Sequence, residues 1–343
     1  MMQSFMTIQQ NISLKPFNSF GIDVNARYFT SFQNETELIQ AVDFYESKNC
    51  PLLVLGGGSN VLFTQSFNGL VLKNEWQGIH LLKEDEEHVY LQAGAGYSWH
   101  GFVQYCIQKN LGGVENLSLI PGSVGASPMQ NIGAYGVEIK DVFHCLEAYD
   151  LEDKKKVQFS NSDCEFGYRE SVFKNSYRNR FVILNVTYRL SKKHSLRLEY
   201  GAIKAQLEIM GVQQPTIANV SAAVMAIRQS KLPNPAEIGN AGSFFKNPEV
   251  DAGYYEALKK DFPTIVGYPL LHQKVKLAAG WLIEQCGWKG YRSGDAGCHA
   301  RQALVLVNYG RATGAQIFEL SEAIIASVQE KFGVTLSREV NIY

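Results

Sequence analysis

One segment of the 343-residue chain is too long and too rich in glycine to form a helix or a strand. Residues 111–139, LGGVENLSLIPGSVGASPMQNIGAYGVEI, carry six glycines at irregular intervals. A stretch of this length without regular structure inside a compact domain is usually functional rather than a simple connection. The fold must therefore accommodate a long, ordered loop to which a ligand can bind.

A second glycine-rich segment, LGGGSN at residues 55–60, follows a short apolar run at residues 52–55. That run predicts a buried strand that ends in a glycine turn. The segment does not match the GxGxxG pattern that opens a helix, so a Rossmann site is poorly supported. Glycines let backbone N–H groups approach an anion, so the two segments together suit a long ligand with a diphosphate in its middle. A tight turn and an ordered surface loop are the alternative interpretations.

Composition is typical of a globular protein and excludes several other classes. Apolar residues make up 45% of the chain, and the formal net charge is −1 without a long basic block, so nucleic acid is not an expected partner. No stretch approaches the ~18 apolar residues of a membrane helix, and the first 14 residues do not resemble a signal peptide. Six cysteines without CxxC or zinc-ligand spacing predict free thiols, no metal site and a cytoplasmic location.

Hydrophobic periodicity predicts helices over residues 36–48, 98–109, 216–229, 276–286 and 313–332. Short strands are predicted between residues 52 and 96 and between 143 and 190, and VTLSREVNIY at 334–343 is predicted to close the chain as a strand. The regular strand–helix alternation of a doubly wound sheet is missing. The pattern therefore predicts an α+β protein of two or three domains.

The two glycine segments together resemble the flavin-binding fold of vanillyl-alcohol-oxidase-type proteins, in which FAD lies between two α+β subdomains and its diphosphate contacts glycine loops. Neither segment offers a histidine or cysteine for covalent attachment, so the resemblance implies noncovalent FAD, with His100 and Cys106 as packing residues. The candidate FAD ligands are Gly56, Gly57, Gly58, Ser59, Asn60, Pro121, Gly122, Ser123, Gly125, Ala126, Ser127, Gln130, Asn131, Gly133, Ala134, Tyr135 and Gly136.

Four further motifs, taken in order along the chain, narrow the resemblance to one family. They are FGYRES at 166–171, KLPNP at 231–235, GNAGSFFKNP at 239–248 and REV at 338–340. With the two glycine segments they resemble the UDP-N-acetylenolpyruvoylglucosamine reductases of bacterial peptidoglycan synthesis, from residue 14 to residue 340. LEYGAIK at 198–204 resembles the subtype that closes a tyrosine-bearing loop over its substrate. The chain departs from the family pattern at Asn341, where a basic residue often stands.

The resemblance implies that NADPH reduces FAD, and that reduced FAD reduces UDP-N-acetylglucosamine enolpyruvate to UDP-N-acetylmuramate. Both NADPH and the UDP-sugar carry a diphosphate, so one site could admit them in turn. The implied domains are FAD-binding subdomain 1 at 1–75, joined by the C-terminal strand 334–343, subdomain 2 at 76–215, and an α+β substrate-binding domain at 216–333. We expect a monomer that binds small molecules and neither nucleic acid nor membrane.

The resemblance also assigns roles to single residues. Arg169 is expected to stabilise the negative charge that develops at C2 and its carboxylate, because a guanidinium presents a planar fork to carboxylate oxygens. Ser243 is expected to deliver a proton to C2, while Glu339 serves as a protonated donor or orients Arg169 or a water. The implied binding residues are Tyr200 in the closing loop, Lys231 and Asn247 at the UDP diphosphate, Gln302 at the nucleotide end and Arg228 at the FAD diphosphate.

Two other functions are compatible with parts of the same pattern. A flavin oxidase of this fold would act on an alcohol and consume oxygen without NADPH. A sensor of flavin or of a UDP-sugar would bind its ligand without turnover. The combination of Ser243, Arg169 and Glu339 argues against both alternatives.

Overall fold

The computed structural model describes residues 6–343, which form two compact units. Unit 1 contains residues 6–12, 26–57 and 68–230, and unit 2 contains residues 13–25, 58–67 and 231–343. The first five residues, on which part of the signal-peptide prediction rests, lie outside the described residues. The three-part domain division stays a prediction.

The helices begin and end at residues that satisfy their terminal backbone groups. Asn34 and Ser98 cap the first two α-helices, and Thr313 and Gln316 form a capping box at the start of the last one. Gly333 ends that helix with a left-handed φ of 63°. The described residues form the α-helices α1 Glu35–Lys48, α2 Trp99–Gln108, α3 Gly201–Ile209, α4 Ile217–Lys231, α5 Ala252–Asp261, α6 Ala279–Gln285 and α7 Gly314–Phe332.

Short strands make up the rest of the regular structure, and several are only two or three residues long. The strands are β1 Gln9–Ser13, β2 Asn25–Phe32, β3 Leu52–Leu55, β4 Val61–Leu62, β5 Phe67–Asn74, β6 Ile79–Glu84, β7 His88–Gly94, β8 Gly133–Ala134, β9 Val137–Glu138, β10 Phe143–Asp150, β11 Lys155–Ser160, β12 Phe181–Ser191, β13 Gly239–Asn240, β14 Glu249–Asp251, β15 Gly267–Pro269, β16 Lys274–Leu277, β17 Arg292–Ser293, β18 Ala296–Cys298, β19 Leu306–Asn308 and β20 Asn341–Ile342.

Unit 1 is built on two sheets. One has the strand order β1-β2-β5-β3, in which β3 and β5 run parallel and Leu55 lies opposite Lys73. The other has the order β11-β10-β12-β7-β6 with antiparallel neighbours, and β12 at its centre is almost fully buried. Trp99 and Phe102 of α2 pack against Tyr188 of β12, with ring centroids 5.8 and 4.6 Å from that of Tyr188. This core supports the second glycine-rich segment.

Unit 2 contains a sheet of order β13-β19-β18-β17, a second sheet of order β14-β16-β15 and the parallel pair β20-β4. Its core includes Phe244 and Phe245 together with the apolar stripe of α7, formed by Ile317, Leu320, Ile324 and Val328. The same stripe is the feature that predicts α7 from the sequence. The core therefore anchors the residues that directly follow Ser243.

The α+β class and most predicted elements are confirmed, and the exceptions have local causes. The helix predicted over 276–286 begins only at Ala279, because residues 274–277 form β16. The closing strand is shorter than predicted and covers only β20 and an isolated bridge at Arg338. The sequence did not predict α3 and α5, which bury only two residues and one residue and so show weak periodicity. No α-helix of residues 6–343 is long and apolar enough to cross a membrane.

Candidate functional site

The two glycine-rich segments touch each other within unit 1. A Cβ added at Gly57 would lie 2.8 Å from Cα of Gly122, and a Cβ added at Gly56 would collide with the hydroxyl of Ser123. At Gly57 the obstacle is backbone, which cannot rotate away as a side chain can. The contact between the segments therefore requires glycine at Gly57 before any ligand is considered.

The same contact leaves backbone donors without internal acceptors. Within residues 6–343, no backbone or side-chain atom accepts a hydrogen bond from the N–H groups of Gly57, Gly122 or Ser123. The next residue is satisfied, since the N–H of Val124 donates to the carbonyl oxygen of Tyr97 at 2.8 Å. Unpaired N–H groups contributed by adjacent turns form a nest that suits an anion.

Several other predicted FAD ligands use their side chains inside the protein. The Ser127 hydroxyl lies 2.9 Å from the hydroxyl of Tyr188, and both groups are buried. The buried Asn131 amide donates to the carbonyl oxygen of Gly167 and accepts from the N–H of Lys140. The backbone of Ser127 is also used internally, because its N–H donates to the carbonyl oxygen of Val124 and its carbonyl oxygen accepts from the N–H of Ile132. The remaining predicted positions on this segment, Pro121, Gly125, Ala126, Gln130, Ala134 and Gly136, continue the same loop.

The end of the first glycine segment, residues 58–60, belongs to unit 2. Gly58 has a φ of 63°, and a Cβ there would collide with the carbonyl oxygen of Phe17, so only glycine fits. Beyond Ser59, the Asn60 amide donates to the carbonyl oxygen of Glu339 at 3.2 Å. The N–H of Asn341 returns a bond to the Asn60 carbonyl oxygen at 3.1 Å. Asn60 therefore joins this segment to Glu339 and to the start of β20.

Backbone bonds hold Ser243 on both sides in unit 2. Before it, Gly242 has a φ of 70°, and its N–H donates to Oδ1 of Asn240 at 2.9 Å. A Cβ at Gly242 would meet no atom within 4 Å, so glycine is required there for its backbone conformation rather than for space. After it, the N–H of the buried Phe244 donates to the carbonyl oxygen of Leu304 at 2.7 Å.

The segment that follows Ser243 runs beside the segment that carries Arg338 and Glu339. The N–H of Glu339 donates to the carbonyl oxygen of Phe244 at 2.8 Å, and Phe245 and Arg338 form an antiparallel bridge. Ser243 is half-buried, and its hydroxyl makes no hydrogen bond within the described residues. The two predicted catalytic residues of unit 2 thus occupy neighbouring backbone positions, with the hydroxyl available to a ligand.

Arg169 lies in unit 1, on a turn next to the second glycine segment. Its φ of 57° is uncommon for a residue other than glycine. Its Nη2 donates to the carbonyl oxygen of Gly133 at 2.7 Å, and the Asn131 amide holds the adjacent Gly167 carbonyl at 2.9 Å. The glycine segment therefore fixes the position of this guanidinium.

Arg228 is within electrostatic range of the same guanidinium. Burial lowers the pKa of Arg228, Tyr135 acts in the opposite direction, and the positive charge of Arg169 lowers the pKa further. Two neighbouring guanidinium groups create a region of positive potential that favours a carboxylate or phosphate. The Nε of Arg228 also donates to the carbonyl oxygen of Leu119 at 3.2 Å.

His100 does more than the packing expected of it. Its Nδ1 accepts a hydrogen bond from the N–H of Leu119 at 3.0 Å, and burial and the charge of Arg228 lower the pKa of the imidazole. A neutral ring can accept this bond. His100 and Arg228 together hold both backbone groups of Leu119, whose φ is 58°, two residues before Pro121. They set the direction in which the chain enters the second glycine loop.

Two tyrosines lie near the arginines of unit 1. The rings of Tyr135 and Tyr200 meet edge to face, with centroids 5.3 Å apart. The buried Asn116 amide donates to the carbonyl oxygens of Tyr135 at 2.9 Å and Arg197 at 3.0 Å, and so holds together the two segments that carry the tyrosines. The sequence did not predict a role for Asn116, because a buried amide that bonds to two distant carbonyls has no local signature.

The predicted binding residues of unit 2 lie at two places. Asn247 and Gln302 both adjoin the first turn of α6: Asn247 Oδ1 accepts from the N–H of Ala279 at 3.0 Å, and a Cβ on Gly280 would lie 3.0 Å from Oε1 of Gln302. Lys231 is exposed at the end of α4. The structure brings Asn247 and Gln302 together.

Comparisons with known proteins match both parts of the chain. Residues 26–155 match the family model described as an FAD binding domain, and residues 234–343 match the UDP-N-acetylenolpyruvoylglucosamine reductase C-terminal domain. The chain is 52% identical to the UDP-N-acetylenolpyruvoylglucosamine reductase of Pseudomonas syringae pv. tomato, over 98% of this chain and 99% of the relative. It is 47% identical to the protein of that name from Flavobacterium johnsoniae, over 98% of this chain and all of the relative.

A solved structure shares the fold of the chain. The crystal structure of UDP-N-acetylenolpyruvylglucosamine reductase from Thermus caldophilus superposes with a TM-score of 0.69 at 24% sequence identity. The match covers 99% of this chain and 100% of that one. The predicted arrangement of an FAD-binding part followed by a C-terminal α+β part is confirmed.

We expect Gly57→Ala to weaken FAD binding by about tenfold or more, because forcing a methyl group against the Gly122 backbone costs about 1–3 kcal/mol and moves the N–H groups apart. Gly253→Ala is the matched control, since a Cβ there meets no atom within 4 Å. Titration of each apoprotein with FAD, followed by quenching of flavin fluorescence, measures the two affinities. Equal affinities for Gly57→Ala and the wild type would contradict the location of the site.

Proposed function

Because the chain belongs to the UDP-N-acetylenolpyruvoylglucosamine reductase family, we propose that it reduces UDP-N-acetylglucosamine enolpyruvate to UDP-N-acetylmuramate in peptidoglycan precursor synthesis. FAD is the cofactor and NADPH the reductant. The observation that carries the proposal beyond family membership is the half-buried Ser243 hydroxyl, which lies next in sequence to Phe244, the acceptor of the Glu339 N–H, and is bonded to none of the described residues.

The two touching glycine loops are the proposed site for the FAD diphosphate. The N–H groups of Gly57, Gly122 and Ser123 lack acceptors among residues 6–343 and would donate to its oxygens. When bound, FAD supplies the hydride that passes from NADPH to C3 of the enolpyruvyl group. Binding is noncovalent in this proposal, because neither loop carries a histidine or cysteine.

Arg169 is proposed to bind the substrate carboxylate. Negative charge develops on C2 and on this carboxylate as C3 accepts hydride, so a fixed guanidinium stabilises the transition state more than the ground state. The bond from Nη2 to the Gly133 carbonyl oxygen holds the group in place before substrate arrives. Arg228 adds positive charge nearby, which supports an anionic ligand in this part of unit 1, either the carboxylate or the predicted FAD diphosphate.

Ser243 is proposed to donate the proton that completes the reaction at C2. A serine hydroxyl is a weak acid, but it can protonate a carbon as basic as an enolate when it is held in line with that carbon. The buried Phe244 and the left-handed Gly242 restrict the backbone on either side of the hydroxyl. Glu339, whose N–H donates to the carbonyl oxygen of Phe244, is proposed to act as a neutral donor or to orient Arg169 or a water.

The remaining roles concern binding. We propose that Tyr200, a residue that is 48% exposed, closes over the sugar nucleotide with Tyr135 behind it. Lys231 and Asn247 are proposed for the UDP diphosphate and Gln302 for the nucleotide end.

The division into parts 1–75, 76–215 and 216–333 belongs to the same proposal. So does a cytoplasmic monomer, for which the six free cysteines fit a reducing compartment.

The purified protein itself tests the proposed reaction. We expect a yellow protein whose flavin absorbance bleaches with NADPH under anaerobic conditions and returns after UDP-N-acetylglucosamine enolpyruvate is added. A flavin oxidase would instead be reduced by an alcohol and reoxidised by oxygen, and a sensor would not turn over. Bleaching that this substrate does not reverse would contradict the proposal.

We expect Ser243→Ala to separate the two half-reactions. Reduction of the flavin by NADPH needs no proton from Ser243 and should keep its rate, whereas reoxidation by the enolpyruvyl substrate should slow by about 10²–10⁴-fold. Anaerobic stopped flow at the flavin absorbance measures both steps, and Ser243→Cys should retain part of the second rate because a thiol can also donate a proton. Reoxidation of Ser243→Ala at the wild-type rate would assign the proton to Glu339 or to a water.

A further inference from the structure

A lysine outside every predicted motif lies beside the first glycine loop. Lys73 is on β5, opposite Leu55 at the end of the parallel strand β3, and its Nζ donates a hydrogen bond to the carbonyl oxygen of Gly56. The side chain is half-buried rather than extended into solvent. The sequence around Lys73, VLKN at residues 71–74, is typical of an ordinary strand and does not predict a role for the lysine.

The bond to Gly56 fixes the direction of the next N–H group. The peptide that joins Gly56 to Gly57 is planar and trans, so its C=O and N–H bonds point in opposite directions. Because the hydrogen bond holds the Gly56 oxygen towards Lys73, the N–H of Gly57 points away from Lys73. This N–H has no acceptor within residues 6–343. An ammonium on the oxygen also polarises the peptide, which makes its N–H a stronger donor.

The charge of Lys73 is not neutralised by an ion pair. No carboxylate among residues 6–343 lies within 4.0 Å of its Nζ. Burial lowers the pKa of the Lys73 ammonium, and the charge of Glu75 acts in the opposite direction. A partly buried cation without an ion-pair partner favours the arrival of an anion nearby.

We propose that Lys73 is a positioning residue for the FAD diphosphate: it orients and polarises the Gly56–Gly57 peptide so that the N–H of Gly57 donates to the anion. The inference rests on the proposed function only in naming FAD as the source of the diphosphate. Lys73 acts through the peptide and need not touch the cofactor. The contribution of Lys73 to affinity should therefore appear with ligands that carry the diphosphate and vanish with flavins that lack the diphosphate.

Apoprotein affinities for FAD and riboflavin provide the test, since riboflavin has the same ring system without the diphosphate. We expect Lys73→Met to weaken FAD binding by about tenfold to a hundredfold, the range for losing a hydrogen bond to a charged group, while riboflavin affinity changes by less than about threefold. Lys73→Arg keeps the charge and should restore FAD affinity to within about threefold of the wild type. Lys73→Gln keeps only a neutral donor, so its FAD affinity should lie between those of Lys73→Met and Lys73→Arg.

The control accounts for the loss of one positive charge. Lys155→Met removes an exposed lysine from β11 of the same unit and should leave both affinities unchanged. Far-UV circular dichroism identifies any variant that fails to fold, and in that case the comparison of Lys73→Gln with Lys73→Arg carries the test.

The outcomes separate this inference from the proposed function. Equal FAD affinity for Lys73→Met and the wild type would overturn the role of Lys73, and so would equal losses of FAD and riboflavin, which indicate a structural effect alone. Equal FAD affinity for Lys73→Gln and Lys73→Arg would overturn the polarising effect of the charge. If the wild type itself binds FAD no better than riboflavin, the proposed diphosphate site fails whatever the variants do.

Discussion

No side chain fits between the two glycine loops of unit 1, and this steric constraint determines what the loops can bind. Gly57 lies so close to Gly122 that even a methyl group would collide with backbone. The close approach places three N–H groups without internal acceptors in adjacent turns. Unsatisfied donors raise the free energy of the two loops, so a bound anion stabilises the loops and the folded state with them.

The surrounding structure holds these loops from several directions. His100 and Arg228 hold both backbone groups of Leu119 before the second loop begins, and Asn131 joins the middle of that loop to the turn that carries Arg169. Lys73, on strand β5, holds the first loop by donating a hydrogen bond to the carbonyl oxygen of Gly56. Each anchor is a side chain bonded to a backbone group, which fixes the direction of a peptide more firmly than apolar packing does.

In unit 2, a similar arrangement holds Ser243, the residue proposed as proton donor. Phe244 and Phe245 are almost completely buried, and the backbone between Asn240 and Lys246 is bonded to residues on both sides. The hydroxyl of Ser243 therefore projects from a rigid segment, which is the condition under which a weak acid can transfer a proton efficiently. The left-handed backbone conformation of Gly242, rather than its small size, permits the turn that precedes Ser243.

The sequence predicted those features whose causes are local. The apolar run at 52–55, the stripe of α7 and the glycine stop at Gly333 depend on neighbouring residues, and all are confirmed. Roles that depend on distant partners were missed: Lys73 bonds to Gly56, and Asn116 bonds to Tyr135 and Arg197. His100 was expected only to pack, because its partner Leu119 is 19 residues away. The assignments of Ser243, Arg169 and Glu339 came from a family resemblance and stay predictions.

The amide resonances of the two loops test the central claim most directly. In protein labelled with ¹⁵N-glycine and ¹⁵N-serine, we expect FAD to shift the amide protons of Gly57, Gly122 and Ser123 downfield, because each gains a charged acceptor. Riboflavin should leave these three resonances nearly unchanged. If FAD binds while the three amides keep their positions, or if riboflavin moves them as far as FAD does, the diphosphate does not lie in the nest formed by the two glycine loops.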